Sequence, residues 1–221
     1  MKKTFALLIA ALAGVCLSAL GAEVSGRVVA TGRPASARVT TIVYLESLDG
    51  HTPVRPGHYQ LAQKNKSFVP KVLAIPAGST VDFPNEDPIF HNVFTKSSPT
   101  PFDLGLYRAG ASKSRVFSQP AVYRVFCNIH SEMTALILVV PTSYIAEADA
   151  SGAYHLDAPP GKYRLTAWSE RSQPVSVEVT VASAPLAAPP LTLDESHYVA
   201  VPHLNKFGLP YPATTYDPLK N

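Results

Sequence analysis

Sulfur is almost missing from this chain. Its 221 residues hold two cysteines and two methionines. Met1 and Cys16 fall in the first 22 residues, so beyond them Cys127 and Met133 stand alone. That scarcity excludes a disulfide framework and leaves too few thiols for an iron–sulfur cluster or a cysteine-rich zinc site. Amphipathic helical repeats are also missing past the N-terminus, which excludes a helical bundle. No second long apolar run follows the first, so no transmembrane segment is expected in the remainder. Charge of one sign is scarce too. The chain has 19 Lys and Arg against 16 Asp and Glu, and Lys2 and Lys3 belong to the N-terminal stretch. Near balance gives no electrostatic footprint for nucleic acid.

What is present begins with MKKTFALLIAALAGVCLSALGA. A basic head, an apolar run and small residues at Gly21 and Ala22 form the layout of a secretory signal peptide over residues 1–22. The expectation is export to the periplasm. Lipidation of Cys16 is the lesser alternative, because Val15 is bulky for that position and no polar tether follows. An exported chain enters an oxidising compartment, where an unpaired cysteine is buried, paired between chains or bound to something. Taken alone, Cys127 reads first as an inert core residue, since free cysteine is among the most buried types.

The rest of the chain is punctuated by 21 prolines and by short apolar, β-branched runs. This predicts an all-β sandwich or barrel. Strands are expected near 24–29, 38–45, 71–75, 80–83, 92–95, 114–117, 122–127, 135–140, 153–156, 161–168 and 175–181. Three regions differ in character: a middle region, 51–140; its flanks, 23–50 and 141–182; and a Pro-rich tail, 183–221, expected to lie extended or loosely held. The long connection 95–110, with FDLGLY, is expected to fold back as a lid.

The stretch CNIHSEM carries the sulfur. In AVYRVFC, side chains alternate faces, so Tyr123, Val125 and Cys127 share one face while Arg124 marks the other as wet. The short loop after Cys127 can converge Cys127, His130 and Met133 on one point. Upstream, GSTVDFPNEDPIFHNVF places His91 after a turn, as the best candidate for a fourth donor. One thiolate, two imidazoles and a thioether form a soft, mixed set that suits copper. Thioether is a poor zinc ligand. Glu86 or Glu132 is a harder substitute for Met133, although loop carboxylates are usually solvated. His51, His58, His155, His197 and His203 look scattered. HLNKFGLPYP is either a strap for a partner or a tail packed on its own domain. Cys127 beside His130 also invites a nucleophile reading. No orienting group, oxyanion pocket or G-x-S-x-G turn accompanies the pair, so no enzyme is expected.

HNVF and YRVFCNIHSEM resemble the ligand segments of type 1 copper proteins, the cupredoxins, and C-x2-H-x2-M is similar to the short amicyanin loop. FPNEDPIFHNVF, FDLGLY and VFCNIHSEM resemble exported cupredoxin-like proteins associated with methylamine utilisation. The resemblance implies a Greek-key cupredoxin sandwich or barrel over residues 51–140. It implies one mononuclear copper held by His91, Cys127 and His130 with Met133 axial. Asn92 would then tie the two ligand segments together through the backbone beside the cysteine. It further implies electron exit at a surface-exposed His130 and a redox or copper-transfer partner in the periplasm. Departures are Ile129 before His130, and Ser131 and Glu132 after it, where related loops carry proline and an apolar rim. The flanks, VSGRVVATGRPASARVTTIVYLES and ADASGAYHLDAPPGKYRLTAWSERSQPVSVEVTV, resemble the two halves of a carboxypeptidase regulatory-like, transthyretin-like β-sandwich. The middle region would then be an insertion, or else the flanks are hairpins packed on one barrel. Trp168 alone makes no aromatic platform for sugar. Three functions follow: one-electron carrier, copper accessory or delivery protein, and metal-free interaction protein.

Overall fold

The computed structural model describes residues 21–34, 37, 39–50, 54–96, 99–200 and 202–212. The signal-peptide stretch up to residue 20 with Cys16, His51, and the tail from 213 lie outside them.

The described residues form strands and no helix. In chain order these are β1 (Ala22–Thr31), β2 (Thr41–Ser47), β3 (His58–Gln60), β4 (Ala62–Lys64), β5 (Ser67–Val69), β6 (Val72–Pro76), β7 (Ser79–Pro84), β8 (His91–Thr95) and β9 (Phe102–Tyr107). They continue with β10 (Ser112–Phe117), β11 (Ala121–Phe126), β12 (Thr134–Val140), β13 (Tyr144–Glu147), β14 (Ala153–Ala158), β15 (Gly161–Ser169), β16 (Val175–Val181), β17 (Leu186–Ala187) and β18 (Leu191–Asp194). Every segment expected from the sequence coincides with or overlaps one of them. The architecture is all-β, and the sheets are open rather than closed into a barrel.

One pair of sheets, β6-β12-β11-β8-β9 and β10-β7-β3, encloses a core that includes Phe83, Phe117, Tyr123, Ile137, Cys127 and Met133. A second pair, β13-β2-β15-β16 and β14-β1 with β17 and β18, encloses Val24, Val43, Leu45, Tyr154, Tyr163 and Leu165. Strand β12 explains how the two cores meet. Its sequence, TALILVV, is buried on both faces. Ala135, Ile137 and Val139 face the first core. Leu136, Leu138 and Val140 face a third cluster with Val72, Ile42 and Trp168. A strand with apolar residues at every position needs cover on both sides, and Trp168 supplies part of that cover.

Two expectations are corrected here. FDLGLY is no lid. It is β9, the edge strand beside β8, with His91 opposite Tyr107 and Thr95 opposite Phe102. The segment after Ser183 is not loosely held at its start. Strands β17 and β18 both pair parallel to β1, and Leu191 and Leu193 enter the second core. Glu195 extends that anchoring, since its buried carboxylate accepts from Arg33 and from the Ser169 hydroxyl.

Candidate metal centre

The site forms where β11 runs out. In β11 the alternation holds: Tyr123 and Val125 are buried and Arg124 is exposed. Strand β12 returns antiparallel with Thr134 opposite Phe126. The seven residues between are closed at their base by Cys127 N–H donating to the Met133 carbonyl at 3.0 Å. Inside the loop, Met133 N–H donates to the His130 carbonyl at 3.1 Å. These bonds turn Cys127, His130 and Met133 back into the core, where all three are buried. Strand β8 lies beside β11 in the opposite direction, paired through Phe94 and Phe126. That register carries His91, at the start of β8, past the end of β11 to the loop.

Three donors converge. Cys127 Sγ lies 3.9 Å from His91 Nδ1 and 3.7 Å from His130 Nδ1. All three candidate ligand atoms fall within 4.8 Å of one another. The imidazoles meet edge-on with centroids 4.9 Å apart. Met133 is fully buried in the same core cluster as Cys127.

Each ring has its own surroundings. His91 Nε2 lies 2.7 Å from Asp87 Oδ2. A carboxylate only accepts, so Nε2 bears a proton directed at Asp87, and Nδ1 is the ring atom that faces the thiol. Burial, reinforced by His91 and Lys66, lowers the His130 pKa to about 4. Burial pushes the Cys127 thiol up, partly offset by main-chain N–H groups of Ile129, Asn92 and His130 directed at its sulfur. A thiol so placed ionises readily only beside a cation, and metal binding supplies one.

The donor set fits a metal. Two donors held at about 2.0 and 2.3 Å from one ion, some 110–120° apart, lie about 3.6 Å from each other. The separations from sulfur to the two Nδ1 atoms are close to that, and too long for strong hydrogen bonds between them. The chemistry is soft and mixed, as copper prefers.

Asp87 was not foreseen. It sits in the turn PNEDP, where Glu86 drew attention instead. Glu86 pairs with Lys64, and Glu132 is exposed. Neither joins the cluster among the described residues. The Asp87 carboxylate also accepts from the main-chain N–H groups of Asn65 and Lys66, at 2.6 and 2.8 Å. Those two residues make the β4–β5 turn with φ of 53° and 54°, a left-handed conformation that is unfavourable for residues other than glycine. Burial raises the Asp87 pKa, but these N–H groups and His91 outweigh it, so the carboxylate ionises below its ordinary range. Asn85 fixes the turn. Its amide donates to the Ile89 carbonyl, and its oxygen accepts from Asp87 N–H.

Asn92 differs in detail from expectation. Its side-chain amide donates to Asp103 Oδ1 on β9 at 2.6 Å rather than to backbone beside the cysteine. The link to Cys127 comes from its main-chain N–H. His130 differs more. Expected at the surface, it is 6% exposed, and its Nε2 is covered and has no hydrogen-bond partner among the described residues. Of the scattered histidines, His155 pairs with Glu23, and His203 lies against the loop. Trp168, buried between the cores, offers no sugar platform.

No family model matches the sequence, and no curated protein matches it. Among solved structures, a copper-containing nitrite reductase from Thermus scotoductus SA-01 is 30% identical over 41% of this chain, with a TM-score of 0.37. The match spans only 24% of that enzyme. A purple cupredoxin from Nitrosopumilus maritimus is 23% identical over 37% of this chain and 99% of its own, with a TM-score of 0.35. An oxidised amicyanin mutant is 18% identical over 38% of this chain and 83% of its own, with a TM-score of 0.36.

Proposed function

We propose that the chain is an exported, periplasmic copper protein that carries single electrons through one mononuclear site. His91, Cys127 and His130 would hold the ion, with Met133 as the axial donor and Asn92 supporting the thiolate through its N–H. The observation that carries this reading is the convergence of one thiol and two imidazole Nδ1 atoms, 3.7 and 3.9 Å apart, inside a buried β framework. Copper would supply the exchange between Cu(I) and Cu(II). The chain's own residues would keep the donors fixed in both states. Asp87 holds the His91 ring, the ladder bond from Cys127 to Met133 closes the loop, and the surrounding core leaves little room to rearrange.

The division of labour we propose is a copper-binding unit over 51–140, inserted into a carboxypeptidase regulatory-like sandwich built from 23–50 and 141–182 and completed by β17 and β18. The partner would be a redox or copper-transfer protein, in a system of the methylamine-utilisation kind suggested by the ligand-segment resemblance. We do not assign an enzymatic step. A second reading, copper storage or delivery, draws on the burial of His130, because a covered imidazole edge gives an electron partner no direct docking point.

Copper titration of the purified protein tests the proposal. An intense visible band from thiolate to Cu(II), absent in Cys127→Ser, is expected. No band and no copper retention in the wild type would refute it. Reversible voltammetry with rapid exchange supports the carrier, whereas slow exchange with tight Cu(I) retention supports delivery.

A further inference from the structure

The C-terminal segment 202–212 lies against the Cys127–Met133 loop through several polar contacts. Tyr211 Oη donates to the Cys127 carbonyl at 2.8 Å. His203 Nε2 lies 2.7 Å from the Ser131 carbonyl. A carbonyl only accepts, so His203 Nε2 is the donor in this contact. Lys206 N–H donates to Asn128 Oδ1 at 2.9 Å. The His203 ring stacks on Phe126, the residue before the cysteine, at 4.2 Å. Lys206 Nζ meets Asp103 at 2.8 Å, and Asp103 is the group that holds the Asn92 amide. The segment thus grips the loop that carries three of the proposed donors and reaches the strand that carries the fourth indirectly, through Asp103 on β9.

Its own structure explains why this is a support and not core. It forms no strand, and it contributes nothing to the three apolar clusters among the described residues. Leu204, Phe207 and Leu209 point outward, exposed by 51%, 70% and 59%. Internally, Asn205 organises it by accepting from Phe207 and Leu209 N–H. The loop beneath has carbonyls at Cys127 and Ser131 that its internal bonds do not use. A loop held by a few local bonds opens more cheaply than the strands that flank it.

We propose that His203 and Tyr211 are positioning residues of the metal centre. They hold the thiolate loop closed from outside and set how long the site keeps its ion. This rests on reading that loop as a copper site. The geometry also makes a claim about the loop that needs no metal.

The test compares wild type with Tyr211→Phe, His203→Ala and the double variant, in full-length chain. In the metal-free protein, the rate of Cys127 alkylation by iodoacetamide, located by peptide mass, reports loop opening. Each hydrogen bond lost has a modest net effect, so the double variant is expected to react roughly tenfold faster or more, about 1.4 kcal/mol in opening. In the copper-loaded protein, loss of Cu(I) to a chelator should accelerate by a similar factor, and the visible band should shift. His203→Gln, which keeps an N–H donor, should restore much of both. Phe207→Ala, on the outward face, should behave as wild type. Wild-type rates and spectrum in the double variant would overturn the proposal while leaving the copper site standing. A wild type that takes no copper, with alkylation still accelerated in the variants, would uphold the strap and overturn the copper function instead.

Discussion

Replacing Asp87 by alanine removes one acceptor and strands three donors. The buried donor is His91 Nε2–H, held at 2.7 Å. The other two, the N–H groups of Asn65 and Lys66, belong to exposed residues and regain water. Only the first therefore counts fully. A hydrogen bond to a charged group contributes about 1.5–3 kcal/mol net, so the metal-free protein should lose roughly that much stability. Losing the partner that orients a ligand imidazole typically weakens metal binding 10- to 100-fold, equivalent to about 1.4–2.7 kcal/mol. Asp87→Asn should fall between. Its single carbonyl can serve His91 or the turn, and its amide opposes the turn's N–H groups. The assays are urea unfolding of the metal-free chain and Cu(I) competition against a chelator. Copper affinity within threefold of wild type in Asp87→Ala, with unchanged stability, would refute the claim that Asp87 orients His91.

Three further outcomes follow from other parts of the molecule. His130 protonates only near pH 4 when folded, against an ordinary 6.5. Below the ordinary value the unfolded chain takes up a proton that the folded chain refuses. Stability from this group should therefore decline as pH falls from 6.5 towards 4, by up to about 1.4 kcal/mol per pH unit. Unfolding midpoints across that range in wild type and His130→Gln check it, and parallel curves would contradict it. Trp168 is the lone tryptophan and lies 6% exposed in the cluster between the cores. Trp168→Ala should cost about 3–5 kcal/mol, and native fluorescence should be blue-shifted; emission like that of free tryptophan would count against the interface. Gly152 has φ +83°, and an added Cβ would meet the Val28 carbonyl oxygen at 2.1 Å. Gly152→Ala should destabilise by about 2 kcal/mol or more, measured by thermal unfolding, and a neutral effect would refute the close approach.

What was legible from sequence was local. Period-two alternation in AVYRVFC fixed the face of Cys127, and a seven-residue connection between two strands left His130 and Met133 little choice but to approach it. What was hidden has no period. Asp87 reaches His91 across a turn, and a carboxylate four residues before a histidine looks like any solvated loop acid. The grip of His203 and Tyr211 spans more than 70 residues of sequence and sits among prolines. Strand β9 has no clean alternation to signal it: FDLGLY carries Gly105, with φ +69°, and its register against β8 shifts between the Asn92–Leu106 and Phe94–Asp103 pairs. His130 lies against the His91 ring of another segment, with centroids 4.9 Å apart, and nothing in its own loop sequence signals that burial.

One thiolate and two imidazoles are proposed to share a single copper ion. X-ray absorption at the copper edge of the loaded protein counts those neighbours directly. One short sulfur scatterer with two imidazole nitrogens is predicted, with the sulfur lost in Cys127→Ser and one imidazole lost in His91→Gly. Copper surrounded only by nitrogen and oxygen in the wild type would contradict it.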